Sequence, residues 1–422
     1  MGGNNQLSII IITFLLNIFY LFNKNITYLY KQETHLKNFY ISLLIFISYL
    51  IFQLMPFNSM MFKIFSSSHN ELYKNLSSIH YKPISLYPYK SLVNLINFIN
   101  VFFIFMIFNL FFNTKRALNI LYQFIIVIGL IHVIFGLLVE SFDFYKLLFY
   151  EKKYYLGALT GFFINRNNFA YFLLLIFIIN FYYLGFYKKY FIKKINKFTF
   201  FKFITSNLII YRTTLIFISV GIILTKSRAG NFSFFLILII IFLTEYLKYK
   251  KFTFNSILVM SLIIVDIFII SNLLGLENLI ARISATSIDG EASRWSVFSI
   301  GFNEFKNFFL FGYGYGGFEI LYRLKHDNYL TFYNHVHNDF IQFLGEWGFV
   351  GIILFTFWIY QLIKTFFKNY KSNIYEINMI VICALTVTFI HGNLDFALHI
   401  PGNFYLLILI LGLSQTKIKR SI

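Results

Sequence analysis

Long apolar runs separated by short polar segments fill the chain from end to end. A helix needs about 20 apolar residues to cross the hydrocarbon core of a bilayer, and runs of that order recur along the sequence. They predict spans over residues 7–22, 39–55, 92–112, 118–139, 169–186, 208–225, 230–247, 254–274, 349–367, 377–394 and 397–413. That is eleven spans; several are short or interrupted, so the pattern also admits ten or twelve. The first run lacks a basic leader and a small-residue cleavage site, and is read as a span, not a signal peptide. The predicted fold class is all-α: a polytopic transmembrane helical bundle forming a single membrane domain over 1–422, with one large helical loop inserted over 275–348.

Composition agrees. Hydrophobic residues make up 58% of the 422 positions and charged residues 13%, and the mean hydropathy is +0.69. A soluble fold cannot expose that much apolar surface, which excludes soluble enzymes and nucleic-acid-binding domains. The single cysteine, Cys383, allows no intrachain disulfide and no cysteine-rich metal site. The net charge of +19 reads as a topology signal. Lysine and arginine concentrate in the short odd-numbered loops, above all in Lys188, Lys189, Lys193, Lys194, Lys197 and Lys202, whereas the longer even-numbered loops carry most of the acids. The positive-inside rule then puts the odd loops in the cytoplasm and every long polar loop on the outer face.

Those outer loops hold the candidate chemistry. Trp295, Phe298, Phe302, Phe305 and Phe309 recur at spacings of 3 and 4, the stripe of an amphipathic helix that lies on the membrane surface or packs on the bundle. A glycine-rich turn follows at 312–317; its backbone N–H groups could cradle a phosphate, although a plain turn fits the context better. Next come His335, His337, Asn338 and Asp339, with Asn338, Gln342 and Glu346 spaced to share one helix face. A histidine at the head of a polar stripe suits proton transfer near neutral pH. A simple helix cap with a solvated face explains the same pattern, and a metal site from His335, His337 and Asp339 is a third reading.

Arg166 and Arg228 sit at predicted membrane boundaries, where headgroup anchoring is the ordinary role. Arg228 lies in a hairpin so tight that its side chain stays close to the protein, and guanidinium suits a bidentate grip on phosphate. Arg294 opens the aromatic-stripe helix. Arg166, Arg228, Arg294 and His337 all fall on the outer face, the set expected of an enzyme acting on a phosphate-linked lipid. His391, Asp395 and His399 follow the same i, i+4, i+8 spacing, with Asn393 and Pro401 as possible breaks, and could support the site or form a structural network. Asp266, inside a span, should have a partner.

The ordered motifs N-R-N-N-F-A at 165–170, S-R-A-G at 227–230, S-R-W at 293–295, G-Y-G-Y-G-G-F at 312–318 and H-N-D-F-I-Q-F-L-G-E-W-G at 337–348 resemble the bacterial O-antigen ligase family. That family includes polymerases and protein-glycosylating relatives. The resemblance covers roughly 157–355. It implies a GT-C-like glycosyltransferase of the inner membrane, multi-pass, with its active site facing the periplasm. Its donor would be a glycan on undecaprenyl pyrophosphate and its acceptor a glycolipid, lipid A–core, with inversion and with no metal or cofactor. By position, Arg228 and Arg294 match the arginines that hold the pyrophosphate, and His337 matches the presumed base. Arg166, Asn168, Asn338, Asp339 and Glu346 are the candidate substrate-binding residues. The family's twelve helices and cytoplasmic N-terminus differ from the eleven spans read above. A polymerase would carry nearly the same motifs. A transporter should instead show inverted repeats and midplane charges.

Overall fold

The computed structural model describes residues 13, 36–58, 60–62, 67–74, 81–112, 114–142, 146–147, 150–186, 209–250, 261, 264, 294–325, 332–370 and 374–415. The predicted spans 7–22 and 254–274 lie outside them apart from isolated positions. So do the basic run 188–202, Asp266, and the acids Asp289 and Glu291 of the insertion.

Among the described residues the architecture is a helical bundle. Its apolar helices are α1 (Lys37–Phe52), α3 (Pro88–Phe111), α4 (Lys115–Ser141), α5 (Arg166–Phe186), α6 (Ile209–Leu224), α7 (Arg228–Tyr249), α10 (Asp339–Tyr370), α11 (Tyr375–Leu394) and α12 (Pro401–Leu413), with short α2 (Ser67–Lys74) between the first two. Six of them, α3, α4, α5, α7, α10 and α11, are long and apolar enough to cross a membrane. α1, α6 and α12 are shorter apolar helices. The chain is a polytopic, all-α membrane protein, as the hydropathy pattern predicts. Local chemistry sets the helix ends. Pro88 and Pro401 open α3 and α12, where a missing N–H costs nothing. Thr114 Oγ1 accepts from Ala117 N at 3.2 Å, and Ser227 Oγ accepts from Gly230 N at 3.1 Å, capping α4 and α7.

α5 is the central post. Its side chains from Asn167 to Tyr183 are buried all round, and α4, α6, α7, α11 and α12 pack against it. A helix apolar on every face can be accommodated only at such a place. Two short antiparallel strand pairs were not anticipated: β1 (Pro56–Asn58) pairs with β2 (Tyr81–Pro83) across α2, and β3 (Lys146–Leu147) with β4 (Tyr150–Glu151). Both tie down polar connections that are too short to leave a readable strand pattern.

The insertion contributes α8 (Arg294–Asn307) and α9 (Phe318–Lys325). They close over a second, smaller core that includes Val297, Phe308, Tyr313, Phe318, Leu321 and Val336. It is fastened to the bundle at a break in α10. Gly348 has φ 63° and ψ −176°, a conformation open in practice only to glycine, at the predicted boundary between loop and span. The carbonyls released there are all met. Gln53 Nε2 donates to Glu346 O at 2.9 Å and to Phe311 O at 2.8 Å. Tyr49 OH donates to Trp347 O at 2.5 Å. Tyr313 N and Gly314 N donate to Gly345 O and Glu346 O, both at 3.0 Å. The N–H groups of Gly312, Tyr313, Gly314 and Gly317 thus go to backbone carbonyls. The glycine turn is a structural clasp, and the phosphate-cradle reading of those groups is set aside. Gly312, at φ 71°, leaves no room for a Cβ, which would stand 2.4 Å from Glu346 O.

Gly348→Ala would bring a Cβ to 2.3 Å from Gly312 N. We expect it to destabilise the fold by about 3 kcal/mol or more, against about 0.5 kcal/mol for Ile353→Ala on the exposed side of the same helix, read as thermal unfolding in detergent.

Candidate active site

The site forms where α11 stops. The helix ends at Leu394, Asp395 is extended, a 3-10 turn covers Ala397–His399, and α12 restarts at Pro401. His391, Asp395 and His399 therefore do not share one helix face; the Asn393–Pro401 interruption separates them. Asp395 is fully buried and its carboxylate is ringed by donors. Its Oδ1 accepts from Phe396 N at 2.9 Å and lies 3.2 Å from His337 Nδ1. Its Oδ2 accepts from Asn167 Nδ2 and stands 3.9 Å from Arg294 Nη2. Burial alone would raise the acid's pKa. The hydrogen bond and charge of His337, with the Arg294 charge, overcome burial and hold it at about 2.

His337 precedes α10 in the left-handed region, with φ 59°, a strained conformation of the sort that gathers at functional sites. Asn338 locks the turn. Its Oδ1 accepts from Phe340 N and Ile341 N at 3.0 Å each, and its Nδ2 donates to Asn393 O at 3.1 Å. Asn338 is thus the cap of α10, but the solvated face expected with such a cap is not found: Asn338, Gln342 and Glu346 are buried. With Nδ1 engaged by Asp395, the neutral imidazole carries its proton there and keeps the Nε2 lone pair. Nε2 takes no hydrogen bond among the described residues, and the side chain remains 21% exposed. An acid–imidazole pair of this form can accept a proton from an incoming hydroxyl.

One arginine reaches this pair, and two more start neighbouring helices. Arg294, at the first position of α8, donates through Nη1 to Leu394 O at 2.9 Å. Arg166, at the first position of α5, has its guanidinium 5.3 Å from the Tyr155 ring centroid. Burial pushes the Tyr155 phenol up and Asp395 adds to this, while Arg166 and Arg294 oppose it. The Tyr155 loop is pinned to α4: Lys152 Nζ donates to Glu140 and, at 2.6 Å, to Ala158 O, and Gly157 N donates to Glu140 Oε2 at 2.9 Å. The S-R-A-G hairpin joins the same end. Leu159 N donates to Leu224 O at 2.9 Å, and a Cβ on Gly230 would meet Ala170 Cβ at 2.5 Å. Arg228 opens α7 there with its side chain exposed. Tyr155 and Lys226, like His337, have positive φ, 57° and 52°.

A second layer lies beneath. His399 Nδ1 is 2.6 Å from Asp339 Oδ1, and its Nε2 is 3.4 Å from Glu346 Oε2. Gln342 Nε2 donates to Glu346 Oε1 at 2.8 Å, and Gln342 Oε1 accepts from Val336 N at 3.1 Å. Asp339 and Glu346 are fully buried, facing His399. Burial pulls His399 down, but the Glu346 charge and the Asp339 hydrogen bond overcome it and push it up to about 9. Half-buried His335 lies well below its ordinary value, from desolvation first and then the nearby His399 charge; its ring stacks on Phe396 at 4.2 Å. His335, His337 and Asp339 turn to Gln342, Asp395 and His399 respectively, so the three do not converge as a ligand set. Asn168 is buried, with its backbone carbonyl accepting from Asn403 Nδ2 at 3.1 Å.

Arg294 and His337 therefore meet on one carboxylate, with Arg166 and Arg228 on adjoining helix starts. Sequence reasoning ranked Asp395 and His399 as secondary and named Asn167 only within a motif. An acid stranded between a helix break and a proline was the available signal.

The layer around His399 makes stability pH-dependent. His399 is raised from 6.5 to about 9, so its contribution is full below about pH 6.5 and fades as pH rises through about 9. Melting in detergent should fall over that window in the wild type, and His399→Gln should flatten the fall.

Residues 213–356 match a family model described as O-antigen ligase. No curated protein matches the chain. The matched stretch contains Arg228, Arg294, His337 and the whole second layer except His399. The match over residues 213–356 supports the resemblance to the O-antigen ligase family.

Proposed function

We propose that the protein transfers a glycan from undecaprenyl pyrophosphate to lipid A–core at the periplasmic face of the inner membrane. One observation supports this most: Arg294 and His337 share the buried Asp395 carboxylate, which sets a fixed cation beside a candidate base. In the reaction the acceptor hydroxyl attacks the anomeric carbon of the donor. The bond from that carbon to the phosphate oxygen breaks, and its electron pair leaves with the pyrophosphate. The hydroxyl proton passes to His337 Nε2. Attack opposite the leaving group inverts the anomeric centre.

Each residue has a physical task in this scheme. Charge grows on the leaving pyrophosphate, and Arg294 and Arg228, with Arg166, stabilise it through preorganised guanidinium groups. Asp395 fixes the His337 tautomer and stabilises the imidazolium formed as the proton arrives. Asp339 and Glu346 act through His399, holding the floor of the site, and Asn338 sets the turn that presents His337. They are positioning residues in this reading, as is buried Asn168, and direct substrate contacts fall to the arginines. The lysine- and arginine-rich odd loops of the sequence support an outward-facing site.

His337→Ala should lower transfer by roughly 10²–10⁴-fold in a reconstituted assay with a polyprenyl-diphosphate glycan. Arg228→Lys and Arg294→Lys should each cost about tenfold or more, because an ammonium cannot make the bidentate contact. Full activity in either lysine variant contradicts the phosphate role. Gene deletion followed by gel analysis of lipopolysaccharide identifies the acceptor: loss of all long chains with lipid-linked polymer accumulating marks a ligase, whereas core bearing a single repeat marks a polymerase.

A further inference from the structure

α8 is amphipathic with its faces inverted. In a water-exposed helix the aromatic stripe would turn inward. Here Val297, Gly301 and Glu304 form the buried face, and a Cβ on Gly301 would stand 2.8 Å from Val336 Cγ1, so the helix cannot roll over. Glu304 is accommodated by Lys325 Nζ at 2.6 Å and Asn307 Nδ2 at 3.2 Å. The large rings are left outside: Trp295 is 64% exposed, Phe302 45% and Phe309 48%.

What covers that face follows from its continuation. The Phe309 ring stacks on Phe349 at 5.2 Å and 16°. Phe349 begins an exposed stripe on α10 with Ile353, Phe357 and Tyr360, spaced along one side of a helix able to cross the membrane. An exposed apolar side of a membrane-crossing helix has lipid as its solvent, and the α8 stripe extends the same apolar surface past the break at Gly348. Lys306 Nζ stands 4.9 Å from the Phe302 ring centroid, placing a cationic head beside an apolar body as interfacial helices do.

We propose that α8 and the turn after it lie in the membrane interface, with the Trp295, Phe302 and Phe309 rings seated in bilayer lipid at the boundary of headgroups and acyl chains. The proposal does not depend on the reaction. If the reading above holds, it also fixes Arg294, at the start of α8, at the depth of a lipid-linked diphosphate.

The protein has three tryptophans, and Trp347 and Trp358 are fully buried, so Trp295 can report on α8. The full chain would be reconstituted in phosphatidylethanolamine–phosphatidylglycerol vesicles carrying lipid brominated either near the headgroup or deep in the chains. Shallow bromine should remove roughly half of the Trp295 emission, taken as the difference between wild type and Trp295→Phe, and should do so more strongly than deep bromine. Phe302→Trp in the Trp295→Phe background should restore the quenched component. Quenching of Trp295 by aqueous iodide with no response to brominated lipid overturns the proposal, and so does equal or stronger quenching by deep bromine.

Discussion

A carboxylate buried without water is tolerable only when donors surround it, and the candidate site is organised by that requirement at Asp395. Asn167 reaches it from α5, His337 from the turn before α10, Arg294 from α8, and the Phe396 N–H from its own loop. Removing one partner from such a group leaves a buried charge poorly compensated, which typically costs about 3–5 kcal/mol. Four chain segments distant in sequence are thereby held to one point. The ionised acid in turn fixes the tautomer of the imidazole and holds the guanidinium nearby. Structure and chemistry rest on the same interaction.

The break at Gly348 makes that meeting possible. A straight α10 would carry the His337 turn along the axis of the span. The glycine redirects the chain, and the clasp at 312–317, with Tyr49 and Gln53 of the α1 end, satisfies the freed carbonyls. The break therefore joins the small core of the insertion to the membrane bundle. The layer of Asp339, Gln342, Glu346 and His399 stiffens the first turns of α10 on the side facing the 3-10 turn Ala397–His399.

The bundle was legible because lipid imposes a crude and repeated demand: long apolar stretches with polar ends. Nine predicted spans correspond to apolar helices, and the 348/349 boundary falls on the observed break. The polar stripe of Asn338, Gln342 and Glu346 was also legible as a face, since 3.6-residue periodicity does not depend on tertiary context. The partners of that face were not. Asp339 and Glu346 read equally as substrate contacts or as internal supports until His399 is placed between them. Asp395 could not be ranked from sequence, because its importance comes from three segments more than 50 residues away in the chain. The aromatic stripe of α8 was read correctly as a stripe, but which face packs on the bundle is decided by Gly301 against Val336, a contact no local pattern encodes.

The central claim is that Asp395 acts through His337. A double-mutant cycle on reconstituted glycan transfer tests it most directly, using Asp395→Asn, His337→Ala and the two together. Residues that work as one unit give strongly non-additive losses. The account predicts that His337→Ala costs roughly 10²–10⁴-fold in the wild-type background but less than about tenfold once Asp395 is asparagine. If the two losses multiply instead, the carboxylate and the imidazole work independently, and the shared site described here is not the catalytic unit.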